Sequence, residues 1–154
     1  MTSKTPIFNN NIDRFYSADP VVFAKKYIDY VSFVLKNIDT EEIRIFVKTL
    51  LDARSRSATI FFVGNGGSAA TASHFANDLA IGCKDEKNPF RAISLNDNVS
   101  VLTALGNDFG YDEIFVRQLR VYGKQGDVIV GISASGNSQN LINTFKYAKS
   151  VGIK

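Results

Sequence analysis

Apolar residues recur along the chain in two rhythms. In the first part they fall at Ala24, Tyr27, Ile28, Val31, Val34, Leu35 and Ile38, a helical spacing that follows Asp19-Pro20, an N-cap with proline at the first helical position. A second helix is predicted after "DTEE" at 39–42, where Asp39 or Thr40 can cap and Ile43, Phe46, Val47, Leu50 and Leu51 form the apolar stripe. From residue 59 the rhythm changes. Short apolar runs, "TIFFV" at 59–63, "RAISL" at 91–95 and "DVIVGI" at 127–132, alternate with helical stretches expected near 68–81, 99–105, 111–122 and 138–151. Continuous apolar runs separated by helices indicate buried parallel strands in βαβ units, hence a doubly wound α/β sheet preceded by two helices.

Residues 1–18 are polar, with three consecutive asparagines at 9–11, and are expected to form a loose arm ahead of one domain over 19–154. At the other end Gly152 reads as the residue closing the last helix, and "IK" as the start of a further strand, so the domain is expected to be cut before its final strand and helix. The aromatics Phe23, Tyr27, Tyr30, Phe33 and Phe46 exceed what one narrow core stripe requires. They imply either an oligomer interface or helices buried on two sides within one subunit.

Composition narrows the class. A chain of 154 residues, 45% hydrophobic, suits one domain with a real core. The net charge is +3 and no block of five or six like charges occurs, which argues against nucleic-acid and membrane-surface partners. One cysteine, Cys83, cannot form a disulfide within the chain, and no apolar run reaches a membrane-spanning length, so a cytoplasmic location is expected. Cys83 itself reads as a small residue near a helix end, and "KDEK" at 84–87 as a solvated loop.

Two junctions carry candidate chemistry. "GNGGS" at 64–68 and "SASGNS" at 133–138 each follow a strand and open a helix, which places both where open parallel sheets bind ligands. Gly64, Gly66 and Gly67 allow close backbone approach ahead of Ser68, and Ser133, Ser135 and Ser138 bring hydroxyl donors to a helix start around Gly136. Neither loop has a lysine or arginine. Such loops bind phosphate through hydroxyls, backbone amides and helix dipoles, each dipole contributing about 0.3–1 kcal/mol and each hydrogen bond to the charged group about 1.5–3 kcal/mol. The first loop lacks the dinucleotide spacing G-x-G-x-x-G, no G-x-x-x-x-G-K-[ST] occurs, and "GISAS" at 131–135 ends in serine where a nucleophile elbow requires glycine.

On three blocks, "GNGGSAATASHFANDL" at 64–79, "LTALGNDFGYDEIFVRQ" at 102–118 and "GDVIVGISASGNSQNLI" at 126–142, the chain resembles the sugar isomerase (SIS) domain family, and within it the phosphoheptose isomerases. The resemblance runs from about residue 40 to the end. It implies a five-stranded, flavodoxin-like parallel sheet, here without its C-terminal strand and helix. It also implies a homotetramer built partly through the N-terminal helices, with sites shared between subunits. The implied reaction converts sedoheptulose 7-phosphate to D-glycero-D-manno-heptose 7-phosphate, a step towards the heptose of bacterial surface polysaccharide.

By the same resemblance, Asn65, Gly66, Gly67 and Ser68 form the first substrate loop; Ser133, Ala134, Ser135 and Ser138 form the phosphate loop; Asp97 and Asn98 contact the sugar. His74 and Asp78, one helical turn apart, are the implied catalytic pair and two ligands of a zinc ion, with Asp78 where the family has a glutamate base. The family's other ligands, a glutamine and a histidine on a C-terminal helix, have no counterpart in the sequence. Ala134 stands for a common threonine, Asn98 for an aspartate, and Gly82 for an arginine of some members. These departures admit two other readings: a non-catalytic SIS module that senses a sugar phosphate or joins a protein assembly, and an isomerase of a different phosphosugar. "GNDFG" at 106–110 is expected to form a turn before a helix beginning near Tyr111.

Overall fold

A computed structural model describes residues 14–154; most of the polar arm lies outside them. The chain divides into two compact units at Arg44 and Ile45. In the first, α1 (Pro20–Lys36) begins where the Asp19 carboxylate accepts the Val21 N–H at 2.9 Å. None of its residues is buried, and the Phe15 and Tyr30 rings lie 4.6 Å apart. The helix α2 (Thr40–Ser55) spans the boundary and starts at Asp39, which accepts the Glu41 N–H at 2.8 Å.

The second unit is a parallel sheet of β1 (Thr59–Gly64), β2 (Arg91–Ser94) and β3 (Val128–Ile132) in the order β2-β1-β3. Every residue of β1 is buried, as a central strand covered on both faces must be. Its side chains alternate between two cores. Phe61 and Val63 enter one with Phe115, Leu119 and Leu141; Ile60 and Phe62 enter the other with Leu50, Ala53, Ala72 and Ala76. The helices α3 (Gly67–Asn77), α4 (Val99–Phe109), α5 (Val116–Tyr122) and α6 (Gln139–Ser150) complete the doubly wound arrangement. Beyond β3, the Lys154 N–H donates to the Asp127 carbonyl at 2.9 Å and the Lys154 carbonyl accepts the Ile129 N–H at 2.8 Å, a parallel pairing that begins where "IK" was expected to start a strand. Buried Asp127 ties the bottom of the sheet together by accepting the N–H groups of Thr59 at 2.8 Å and Lys124 at 3.0 Å.

Three expectations need correction. The helix expected over 68–81 stops at Asn77 and gives way to a π turn, Asp78–Gly82, in which the Cys83 N–H reaches the Asp78 carbonyl at 3.0 Å. "GNDFG" is not a turn ahead of a helix: α4 continues through Phe109, because Leu102 and Leu105 keep its stripe on the core, and the reversal falls on Gly110 at φ +88°. The helix expected over 111–122 is two pieces, a 3₁₀ turn Tyr111–Glu113 and α5. The stretch "KDEK" is exposed, but Asp85 pairs with Arg54, which also donates to the Asn88 carbonyl at 2.6 Å. The hydrogen bond from the Asn88 backbone N–H, assisted by that pairing, holds the Asp85 carboxyl below its ordinary value.

Candidate functional site

In the order β2-β1-β3, chain connections leave the central strand in opposite directions, so the switch point lies at the carboxyl ends of β1 and β3. Both glycine-serine loops sit there. β1 ends at Gly64, where the Asn96 side chain grips the backbone twice: the Gly64 N–H donates to Oδ1 at 3.1 Å and Nδ2 donates to the Gly64 carbonyl at 2.7 Å. A Cβ on Gly64 would stand 2.4 Å from the Ser68 carbonyl oxygen, so only glycine allows the following turn of α3 to come this close. Gly66, at φ 56° and ψ −124°, then redirects the chain into the helix in a conformation L residues rarely adopt.

The starts of the helices differ. α1, α2 and α4 open on side-chain caps from Asp19, Asp39 and Asn98, whereas α3, α5 and α6 open at Gly66, Phe115 and Ser138 with no side-chain cap, and of these α3 and α6 follow the strand ends at the switch point. Neither α3 nor α6 carries an acidic residue in its first turn. The N–H groups of Gly66 and Gly67 find no acceptor among the described residues. Uncapped helix starts at the switch point leave backbone donors and the positive dipole ends open to an anion.

The second loop is shaped by its own hydroxyls. Ser133 Oγ accepts the Gly136 N–H at 3.0 Å and Ser135 Oγ accepts the Asn137 N–H at 3.3 Å, around Gly136 at φ +66°. Ala134, between them, is exposed and adds no side-chain donor. Two amides join the first loop to the first turn of α6: Asn65 Nδ2 donates to Asn140 Oδ1 at 3.0 Å and Asn140 Nδ2 donates to Asn65 Oδ1 at 2.9 Å. From the 3₁₀ turn, the Tyr111 hydroxyl also donates to Asn65 Oδ1, at 2.8 Å.

The other residues singled out in the sequence occupy two further places. Asp97 and Asn98 follow β2 and line an open cleft of about 680 Å³ with Ser73, Asn77, Ser94 and Ser100. There the Ser73 hydroxyl donates to Asp97 Oδ1 at 2.5 Å, and Asn98 Oδ1 caps α4 by accepting the Val101 N–H at 3.1 Å. His74, on α3, and Asp78, the first residue of the π turn, line a separate depression of about 360 Å³ with Ala70, Thr71 and Phe75. His74 Nε2 is 3.1 Å from Asp78 Oδ2, and the side chains are 75% and 61% exposed. The structure therefore brings both loops to the carboxyl ends of adjacent strands, ties Asn65 to Asn140 in the first turn of α6, and leaves the histidine and aspartate outside that junction. Sequence reasoning passed over Asn96, Asn140, Tyr111 and Ser73. Asn140 had a signal: with Leu141, Thr144 and Ala148 it falls on the buried stripe of α6, where an unexplained amide requires a partner.

These features match known proteins. The model of the SIS domain family matches residues 26–154. The chain belongs to the SIS domain family, in its phosphoheptose isomerase group. It is 42% identical over 129 residues to a probable phosphoheptose isomerase of Thermoplasma acidophilum, covering 84% of this chain and 71% of that protein. It is 38% identical over 132 residues to the phosphoheptose isomerase of Helicobacter pylori, covering 84% and 69%. Among solved structures, the phosphoheptose isomerase of Neisseria gonorrhoeae superposes with a TM-score of 0.74 at 34% identity, covering 86% of this chain and 69% of that one. That of Francisella tularensis gives 0.81 at 25% identity, covering 88% and 73%.

Proposed function

We propose that this SIS chain is an aldose–ketose isomerase that interconverts sedoheptulose 7-phosphate and D-glycero-D-manno-heptose 7-phosphate, in heptose and surface-polysaccharide biosynthesis. The observation that carries the reading is the pair of uncapped helix starts, α3 and α6, facing one switch point in a chain of this family. The backbone donors of Gly66 and Gly67 and the hydroxyls of Ser133, Ser135 and Ser138 take the phosphate. Ala134 contributes backbone only. Asn65 and Ser68 complete the first loop, and Asp97, oriented by Ser73, and Asn98 supply polar groups for the sugar.

The reaction moves a proton between C1 and C2 through an enediol, which requires one group to remove it and return it. Asp78 is that base, and His74 at 3.1 Å holds its carboxylate in place. The two side chains also suit zinc: an imidazole nitrogen and a carboxylate oxygen that already converge can occupy two corners of a tetrahedral ion. Among the described residues no third histidine, cysteine, aspartate or glutamate joins them, so the pair fits half of such a site. When bound, the metal would polarise the sugar's carbonyl and hydroxyl oxygens.

Because the pair stands outside the phosphate junction, the working site is completed by groups from another subunit. We place the protein in the cytoplasm as a homotetramer with shared sites, supported by Val21, Ile28, Phe33 and Leu35 of α1, apolar side chains that are 61–63% exposed. Among the described residues no helix is long and apolar enough to cross a membrane.

The test incubates the full-length protein with sedoheptulose 7-phosphate in deuterated water, with and without a zinc chelator, and follows deuterium by NMR. Deuterium at C2 of the aldose product, lost on chelation, is expected. Binding of the heptulose phosphate without deuterium entry would refute the isomerase and leave a phosphosugar-binding module.

A further inference from the structure

The hydrogen-bond capacity of Asn65 is nearly used up inside the protein. Its Oδ1 accepts both the Asn140 Nδ2–H at 2.9 Å and the Tyr111 O–H at 2.8 Å, which fills the two lone pairs of an amide oxygen. Its Nδ2 donates to Asn140 Oδ1 at 3.0 Å and retains a single free hydrogen. Asn140 is equally committed, since its Oδ1 also accepts the Leu141 N–H at 2.9 Å, and it is 1% exposed. An amide bound on both edges is a strut between the loops, with little left to offer a substrate.

We infer that Asn140, assisted by Tyr111, is a positioning residue that fixes Asn65 and thereby aims the Gly66 and Gly67 N–H groups and the Ser133–Ser138 loop at one phosphate. The inference rests on the phosphosugar reading above. The two loops come from opposite sides of the switch point, and these amide bonds join the first loop to the start of α6, the helix that the second loop opens. Asn140 sits in the first turn of the uncapped α6, so its orientation and that of the α6 N–H groups move together. The phosphate is present unchanged in substrate and transition state, so losing the strut weakens both equally: KM rises and kcat stays.

The test measures kcat and KM for sedoheptulose 7-phosphate, the Kd of inorganic phosphate by calorimetry, and Tm, on the full-length protein. The variants are Asn140→Leu, a neutral near-isostere that removes both amide bonds to Asn65 while the Leu141 N–H keeps the Ser138 carbonyl as acceptor, Tyr111→Phe, Asn65→Ala, and Asn65→Ala combined with Asn140→Leu. Asn140→Leu should raise KM and the phosphate Kd about tenfold with kcat within about twofold, and Tyr111→Phe should raise them about threefold. On the Asn65→Ala background the Asn140→Leu effect should vanish, because Asn140 acts through Asn65. Wild-type phosphate affinity in Asn140→Leu, or an undiminished loss on the Asn65→Ala background, overturns the inference. Should Asn140→Leu fail to fold, Tyr111→Phe decides, as that ring is 59% exposed: unchanged phosphate affinity overturns the inference. A wild-type protein that binds phosphate without turning over the heptulose refutes the isomerase alone, because the phosphate Kd still reports on the strut.

Discussion

The junction of the two loops and the His74–Asp78 pair lie on the same helix or against it, yet they are built differently. At the junction each functional group has a support. Asn96 fixes Gly64, Asn140 and Tyr111 fix Asn65, and the serines of the second loop fold it on itself. His74 and Asp78 touch chiefly each other, and more than half of each side chain faces solvent. The difference shows that the loop junction is braced within the chain whereas the His74–Asp78 pair stands on an exposed surface; in the proposed function the first takes the phosphate and the second the chemistry. Binding and turnover should therefore separate under mutation.

The largest separation is expected from Asp78→Asn, which keeps the shape and removes the proposed base. The rate of deuterium entry should fall by about 10²–10⁴-fold, while Tm and the phosphate Kd stay at wild-type values. A parallel loss of phosphate affinity would contradict the division. Gly64→Ala should do the reverse of a selective lesion. Its Cβ would press on the Ser68 carbonyl oxygen at 2.4 Å, a backbone atom that cannot step aside, and about 1–3 kcal/mol of stability should be lost together with phosphate binding, as read by denaturant unfolding and calorimetry.

Gly136→Ala is a milder probe of the second loop. No atom stands within 4 Å of the added methyl, so the cost is the positive φ of 66° alone, about 1–2 kcal/mol, with a smaller loss of phosphate affinity than at Gly64. The smallest effect concerns the segment after the π turn. The Asp85 carboxyl is held below its ordinary value by the Asn88 N–H and by Arg54, so its contribution to stability is present above the ordinary carboxylate range and is lost as pH falls through the lowered value. Unfolding midpoints of the wild type and of Asp85→Asn should converge as pH drops through that window, without change in isomerase rate at neutral pH.

The layered fold was legible because its signals are short-range and redundant. The all-buried β1, the caps at Asp19 and Asp39 and the two loop junctions all follow from local pattern. Helix ends were less legible. The break of α3 at Asp78 uses residues that would serve equally well in an α-helix, and the continuation of α4 through "GNDF" depends on Leu102 and Leu105 reaching a core assembled from distant segments. Within the site, the pairing of Asn65 with Asn140 joins residues 75 positions apart, and no spacing rule reports it. The separation of His74 from the cleft of Asp97 was equally hidden, since it depends on how Ala72 and Ala76 seat α3 against the core of Ile60 and Phe62.

The double grip of Asn96 on Gly64 has a consequence for how the sheet ends. A primary amide presents one donor and one acceptor side by side, as a peptide unit does, so Asn96 supplies one more rung to β1 after the β2 main chain has turned away. The strand is prolonged by a counterfeit backbone, which frees the real one to deliver Asp97 to the cleft. Aspartate would keep the outline and lose the donor, leucine would strand a buried carbonyl and N–H, and glutamine would overshoot. The neighbourhood of a single asparagine thus decides where the sheet stops and the loop begins.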